Sequence, residues 1–309
     1  MDSFERPNKQ TIWKSANQIA TIIKLKYEEH FSNSFFKPII AIICGSGLGN
    51  IAEILDGDDE KMKNKRLVIS YKDIPYMPVS KVDGHLNQLT IGFLNGKYQV
   101  LCFQGRTHLY EGYQPWEITL PVRAMKLMGV ETLFVTNCSG CLSKNFKSGD
   151  VMIIKDHIDF AGLAGQNPLI GDNDDRWGLR FPDLRAPYCI KLRKLTLESA
   201  NSLHMSPCCK EGIYLMVCGP NYETNAEKNI MTKFGADAIG ASTVSEVIVA
   251  RHCQISVCGL SLITTDYQDP LEKPSEPLHA DHIEMVLALS FDEGSRKIGQ
   301  IIKETVARM

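Results

Sequence analysis

Arg106, His108 and Tyr110 occupy alternate positions directly after the apolar run Val100-Leu101-Cys102-Phe103. If the backbone stays extended past that run, the three side chains project to one face. A guanidinium, an imidazole and a phenol gathered in this way suit an oxyanion such as phosphate held beside a sugar. The same spacing also fits an ordinary polar strand end. Gly45-Ser46-Gly47-Leu48-Gly49 closes an earlier apolar run, residues 38–44, and offers backbone amides and the Ser46 hydroxyl to an anion. It is not a dinucleotide fingerprint, because the third glycine comes one place early, and no Gly-Lys-Ser/Thr makes it a P-loop.

Later segments add to this chemistry. Asn137-Cys138-Ser139-Gly140 ends another apolar run with small side chains and backbone amides. Cys218-Gly219-Pro220-Asn221-Tyr222-Glu223-Thr224 follows a strand-like run and opens a helical one. Tyr222 supplies a ring for a sugar or base, and Glu223 a carboxylate that accepts from ring N–H or amino groups. Glu223 is equally a charge favoured at a helix N-terminus. Gly240-Ala241-Ser242-Thr243, just ahead of Glu246, reads as a helix cap and as a further phosphate contact.

The elements that must position these residues alternate in type. Residues 11–30 carry Ile12, Ala16, Ile19, Ile22 and Ile23 at helical spacing. Residues 38–44 predict a strand buried on both faces. Residues 88–94 and 97–103 are joined by Asn95-Gly96, a strong hairpin signal. Further along, the pattern predicts a helix over 116–128, strands over 132–136 and 151–155, and a long polar loop to about 185. That loop exceeds ordinary connection lengths and suggests a functional or intersubunit role. Helices over 188–203, 223–234 and 244–253 then alternate with strands over 212–217, 236–239 and 255–264. A last helix has a weak point at residues 290–294. The alternation implies one α/β domain with a mixed sheet.

With 309 residues and a formal net charge of −2, the chain lacks the basic stripe of a nucleic-acid binder. It has no apolar stretch near the ~20 residues a membrane span needs, and no signal-like start. Its ten scattered cysteines read as reduced residues of a cytoplasmic protein. Cys138-x-x-Cys141 could be a redox pair, but zinc would need a second such pair, which adjacent Cys208 and Cys209 do not make.

Taken in order, residues 45–49, Asp83-Gly84-His85, residues 104–112, Gly165-Gln166-Asn167-Pro168-Leu169, Gly219-Pro220-x-x-Glu223-Thr224 and residues 246–252 resemble the trimeric purine nucleoside phosphorylases of the nucleoside phosphorylase-I family. The resemblance covers roughly residues 15–300. It implies one domain over residues 1–309, a three-layer α/β/α fold with a central mixed, partly barrel-like sheet, and a loosely ordered extension over 1–14. It also implies phosphorolysis: inorganic phosphate attacks C1′ of a nucleoside, giving ribose 1-phosphate and free base for purine salvage. Phosphate is then a co-substrate, and no metal or organic cofactor is implied. Ser46, His85 on a mobile flap, Arg106, His108, Ser242 and the Cys138 amide would hold phosphate. Tyr110, Tyr222 and Ala241 would border the ribose, Glu223 and Thr265 would read the base, and His282, or else His279, would meet the 5′-hydroxyl. His108, Glu223, Thr265 and His282 are thus the candidate catalytic residues. The family's homotrimer would set Leu163 beside a neighbouring site.

Several positions depart from the family pattern. Thr265 stands where the family's base-reading asparagine falls. Asp266, in a Thr-Asp-Tyr like that of the sister methylthioadenosine phosphorylases, comes one place late for their aspartate. Cys138 replaces alanine, Ala241 methionine, Tyr222 phenylalanine, and Leu163 the aromatic ring lent across the interface. A roomier pocket and a short hydroxyl predict relaxed base choice: inosine retained, adenosine accepted, and a pyrimidine nucleoside such as cytidine tolerated. The alternative is a catalytically weak paralogue that binds nucleoside or base.

Overall fold

A computed structural model describes residues 8–31, 35–55, 66–267 and 280–309, with backbone alone for 280–291. Helix α1 runs Lys9–His30 and starts at Asn8, whose side chain accepts from the Thr11 N–H at 3.0 Å. Ala16, Ile19, Ala20, Ile23 and Tyr27 form its buried stripe. Residues 9–14, expected in a loose extension, therefore belong to the helix, because the cap at Asn8 starts it ahead of the apolar pattern.

The centre is a nine-stranded sheet among the described residues. Its strands are β1 (Ile40–Cys44), β2 (Leu67–Ser70), β3 (Gln88–Leu94), β4 (Tyr98–Gln104), β5 (Thr132–Cys141), β6 (Val151–Asp159), β7 (Cys209–Met216), β8 (Ala238–Gly240) and β9 (Ser256–Ile263). The order is β2-β3-β4-β1-β5-β8-β7-β6-β9, and β9 also pairs with β5. That extra pairing closes β5, β8, β7, β6 and β9 into a five-strand barrel, from which β1 to β4 extend as an open wing. β3 and β4 form the antiparallel hairpin expected, with Asn95 and Gly96 both at positive φ in its turn.

The remaining helices are α2 (Pro115–Ile118), α3 (Leu120–Leu127), α4 (Phe160–Leu163), α5 (Ile190–Ser202), α6 (Asn225–Lys233), α7 (Val244–His252) and α8 (Ala280–Ala307). All five residues of β1 are buried. Ala41 and Ile43 pack in one cluster with α1, α3 and α7, while Ile40, Ile42 and Cys44 pack in another with α5 and α8. Alternation along one strand thus separates two helical layers. No helix of the described residues is long and apolar enough to cross a membrane.

Two predicted helices differ from expectation. The helix over 116–128 breaks at Thr119, because Pro121 has no N–H to return to the preceding turn; the Thr119 hydroxyl donates instead to the Pro115 and Trp116 carbonyls at 3.0 and 3.2 Å. The weak point at residues 290–294 does not interrupt α8. A Cβ on Gly294 would overlap the Leu262 side chain, so the glycine lets the helix seat closely on β9. One residue on, the Ser295 hydroxyl donates to the Gly47 carbonyl at 3.2 Å and ties α8 to the turn after β1.

β1 is parallel to β4 and β5, and β5 to β9. Their carboxyl ends share one edge of the sheet, where an open α/β sheet presents ligand sites.

Candidate active site

Three segments leave that edge together: the Gly45-Ser46-Gly47 turn after β1, residues 105–108 after β4, and the outer part of β5. Gly45 is obligatory. A Cβ there would lie 2.8 Å from the Asn137 Cα and the Thr136 carbonyl, and 3.2 Å from Arg106 Nη2. Its absence brings the turn, β5 and the guanidinium into one volume.

Arg106 is buried. Nη1 donates to Glu246 Oε2 at 2.7 Å and to Thr243 Oγ1 at 3.2 Å, and Nη2 donates to the Thr136 carbonyl. Nε–H meets no acceptor among the described residues. A guanidinium has five N–H donors, so two remain for a ligand after these three bonds. A small gap beside the ion pair is lined by Phe103, Gly105, Arg106, Pro121 and Glu246, but by none of Ser46, His85, His108 or Ser242. It is packing space around the guanidinium, not the cleft.

His85 is folded onto this group. Its Nε2 and the Ser46 hydroxyl lie 2.9 Å apart, and Nδ1 accepts from the Arg106 backbone N–H at 3.4 Å. Those partners select the tautomer that donates from Nε2 to Ser46. Burial, then His108 and Arg106, depress His85 to about 3, so the ring is neutral. His157 in β6, 3.1 Å from the Tyr188 hydroxyl, is likewise depressed by burial to about 4. Unfolded, both rings take a proton near pH 6.5. Between pH 6.5 and about 3 for His85, and between pH 6.5 and about 4 for His157, the unfolded chain therefore binds more protons, and the fold loses stability as pH falls, by at most about 1.4 kcal/mol per pH unit for each ring. Urea midpoints measured from pH 7 to 4 should fall less steeply in His157→Gln than in wild type; equal slopes would contradict a neutral buried ring.

The expectation that Arg106, His108 and Tyr110 share one extended face needs correction. β4 ends at Gln104, and residues 109–111 form a 3-10 turn. The rings meet by stacking instead: His108 and Tyr110 lie 4.7 Å apart at 12°, with His85 5.2 Å from His108. Glu111 causes the turn. Its carboxylate accepts from the His108 N–H (2.9 Å), His108 Nδ1 (2.8 Å), the Ser80 hydroxyl (3.0 Å) and the Lys81 N–H (2.8 Å). Burial raises the Glu111 carboxyl, but these bonds outweigh it and the net shift is downward. Nε2 is left as the remaining hydrogen-bonding atom of the His108 ring.

The thiol of Cys138 donates to the Ser46 carbonyl at 3.2 Å and is pushed by burial up to about 12. Cys141 lies on the opposite face of β5, donating to the Ser143 carbonyl at 3.2 Å, also raised by burial. All ten cysteines are free. Three residues apart on a strand, Cys138 and Cys141 point away from each other, which removes the redox pair.

A second group of the candidate residues gathers at Gly219. A Cβ there would stand 3.1 Å from Tyr110 and 3.6 Å from Ala241, so the start of the Tyr222–Glu223 segment rests on both. Burial, Glu111 and then Tyr222 raise the Tyr110 phenol, partly opposed by Arg106, to about 12. Tyr222 is exposed, and the Glu223 carboxyl is raised by burial. Thr224, not Glu223, caps α6, in a reciprocal pair with Glu227. The Thr265 hydroxyl accepts from the Cys141 N–H at 3.0 Å, and Asp266 Oδ1 from the Ser148 N–H at 2.9 Å. Leu163 ends α4 and is 83% exposed. His279 and the His282 side chain lie outside the described residues.

The segment read from sequence as a helix cap and phosphate contact completes the site, with Thr243 and Glu246 in roles the sequence did not give them. Thr243 and Glu246 have the spacing of a capping box, yet neither caps α7. Both side chains turn to Arg106, and Ser242 Oγ sits 3.2 Å from Thr243 Oγ1. The signal that could have found them is a buried arginine, Arg106, which requires a carboxylate somewhere in the chain.

The phosphorylase superfamily model matches residues 39–306. Mouse purine nucleoside phosphorylase is 44% identical over 255 residues, covering 81% of this chain and 83% of the mouse protein. Isoform 2 of the Schistosoma mansoni enzyme, solved in complex with cytosine and ribose-1-phosphate, is 37% identical with a TM-score of 0.82 over 96% of this chain and 97% of that one. Purine nucleoside phosphorylase of the same organism in complex with adenosine is 36% identical with a TM-score of 0.80, covering 96% and 97%. With that coverage, and with the glycine turn, the buried arginine and the carboxylate segment meeting at one sheet edge, the chain belongs to the phosphorylase superfamily as a purine nucleoside phosphorylase.

Proposed function

We propose that this phosphorylase accepts both 6-oxopurine and 6-aminopurine nucleosides, and cytidine more weakly, in purine salvage. Inorganic phosphate is the co-substrate, with no metal or organic cofactor. Ser46, His85, Arg106, His108, Ser242 and the Cys138 amide hold the phosphate under C1′. Tyr110, Tyr222 and Ala241 border the ribose, and His282 meets its 5′-hydroxyl. As the glycosidic bond breaks, the ribosyl ring gains positive charge against the phosphate and the base gains negative charge facing Glu223 and Thr265. The subunits form a homotrimer in which Leu163 lies beside a neighbour's ribose site, which accounts for a leucine so exposed in one chain.

One observation carries the base selectivity. The Thr265 oxygen spends one lone pair on the Cys141 N–H. Its proton and second lone pair remain, so the hydroxyl can donate to a 6-oxo group or accept from a 6-amino group. An amide side chain is longer and presents its donor and acceptor at fixed, separate positions. Ala241, a small side chain under the sugar, adds room. The S. mansoni relatives solved with adenosine and with cytosine support the same breadth.

Thr265→Asn should raise the inosine-to-adenosine ratio of kcat/KM by roughly 10-fold, the order of one hydrogen bond gained or lost at the base. Release of free base from inosine, guanosine, adenosine and cytidine, each with and without phosphate, measures it. Cleavage of inosine and guanosine alone, or an unchanged ratio in the variant, would refute the breadth. Base or nucleoside binding without turnover would mark a weak paralogue.

A further inference from the structure

We propose that Thr243, Asn137 and Ser261 are positioning residues, forming a one-way chain of hydrogen bonds that leaves the Ser242 hydroxyl proton pointing out to the phosphate. The inference rests on the phosphate site assigned above.

The direction follows from which atoms can only give and which can only take. The Ser261 hydroxyl donates to Asn137 Oδ1 at 2.5 Å, so the 2.6 Å contact between Ser139 Oγ and Ser261 Oγ runs from Ser139 to Ser261. With the amide so oriented, Asn137 Nδ2 donates to Thr243 Oγ1 at 2.8 Å. Arg106 Nη1, which cannot accept, donates to the same oxygen at 3.2 Å. Both lone pairs of the Thr243 hydroxyl are then in use, and its own proton must leave in another direction. Ser242 Oγ, 3.2 Å away, is the partner in that direction. Ser242 therefore accepts from Thr243. The buried Tyr214 hydroxyl, which accepts from the Ser242 N–H at 3.4 Å and also meets the Ser242 side chain, fills the second lone pair by donating its own proton. This leaves the Ser242 proton to point outward. Two donors on Thr243, one of them a cation, strengthen that polarity in a buried setting.

A second observation is independent of the bonds. Thr243 stands at φ 80°, ψ −51°, a conformation that a β-branched residue rarely adopts. It opens α7 without capping it, although threonine is a preferred cap. A local conformation this unfavourable persists where surrounding structure imposes it, and here it aims the hydroxyl at Arg106 and Asn137 instead of the helix amides. The chain starts inside the barrel, at facing positions of β5 and β9, and ends at the sheet edge. It thereby links the barrel to the anion site.

The test is steady-state kinetics with phosphate varied at saturating inosine, then inosine varied at saturating phosphate. Thr243→Val keeps the branched shape and removes the hydroxyl. It should raise the phosphate KM by about 10- to 100-fold, the range for losing hydrogen bonds that act on a charged group, and change the inosine KM by less than about 3-fold. Thr243→Ser restores the hydroxyl and should return the phosphate KM to within about 3-fold of wild type. Ser261→Ala, a smaller change farther along, should move phosphate KM in the same direction by roughly 3-fold. An unchanged phosphate KM in Thr243→Val, an equal rise in both KM values, or no recovery with serine would overturn the chain. If Thr243→Val fails to fold, Ser261→Ala decides alone, and an unchanged phosphate KM there overturns it. Wild-type turnover that ignores phosphate would instead defeat the phosphate site itself, before any variant is compared.

Discussion

Arg106→Ala is expected to lower kcat/KM for phosphate by about 10³-fold or more, and to destabilise the fold by about 3–5 kcal/mol. The first figure is the scale on which a single preorganised donor or cation acts on developing charge. The second is the cost of leaving one partner of a buried ion pair alone. Glu246 is that partner, 2.7 Å away and as deeply buried as the guanidinium. The two effects separate in the double variant Arg106→Met/Glu246→Leu, which removes both charges and fills much of the volume. Its melting temperature should recover most of the single variant's loss, because apolar replacement of a buried pair is often neutral. Its turnover should not recover. Activity returning along with stability would mean that Arg106 only holds the fold, and unimpaired turnover of Arg106→Ala at low phosphate would remove it from the phosphate site.

Arg106 also shows how much of the site was legible in the sequence. Its side-chain type and its place after an apolar run were visible, and so was the glycine turn that it faces. The unbroken apolar run over residues 38–44 predicted the two-sided burial of β1, and Asn95-Gly96 the β3–β4 hairpin, because both signals are local. The closure of the barrel was expected from the family resemblance alone. It depends on β5 pairing with β8 at one end and β9 along its length, a long-range choice that no local pattern encodes. Thr243 and Glu246 misled for a related reason. Their spacing is that of a helix cap, and only the arrival of a buried guanidinium from β4 makes a different partner better. Extrapolating strand geometry past Gln104 failed at Gly105, whose φ of 131° turns the chain, and at Glu111, whose carboxylate gathers four donors into a turn. The hydroxyl and amide groups of Ser139, Asn137 and Ser261 lie on adjacent strands far apart in sequence, so their line of hydrogen bonds becomes visible only in three dimensions.

Glu223→Gln should lower kcat/KM for inosine and guanosine by roughly 10²-fold while costing adenosine less than about 10-fold. A 6-oxopurine presents N1–H, a donor that a carboxylate accepts with the strength of a charge-assisted bond. Adenine presents N1 as an acceptor, which a carboxylate repels and a protonated carboxyl satisfies. Burial raises the Glu223 carboxyl above the ordinary carboxylate range. As pH falls through that raised value, the group changes from acceptor to donor. Inosine turnover should therefore decline on the acid side earlier than an exposed glutamate would cause, and the adenosine-to-inosine ratio of kcat/KM should climb over the same interval. In Glu223→Gln the side chain no longer titrates, so that climb should vanish. Glu223 is half-buried in a loop segment and bears no ion pair among the described residues, so the melting temperature should stay within a few degrees of wild type. Parallel kcat/KM profiles for the two nucleosides in wild type and variant, from pH 5 to 8, decide the matter. If the ratio is flat with pH in wild type, or if the variant loses inosine and adenosine equally, Glu223 does not read N1, and base choice must rest on Thr265 and the shape of the pocket alone.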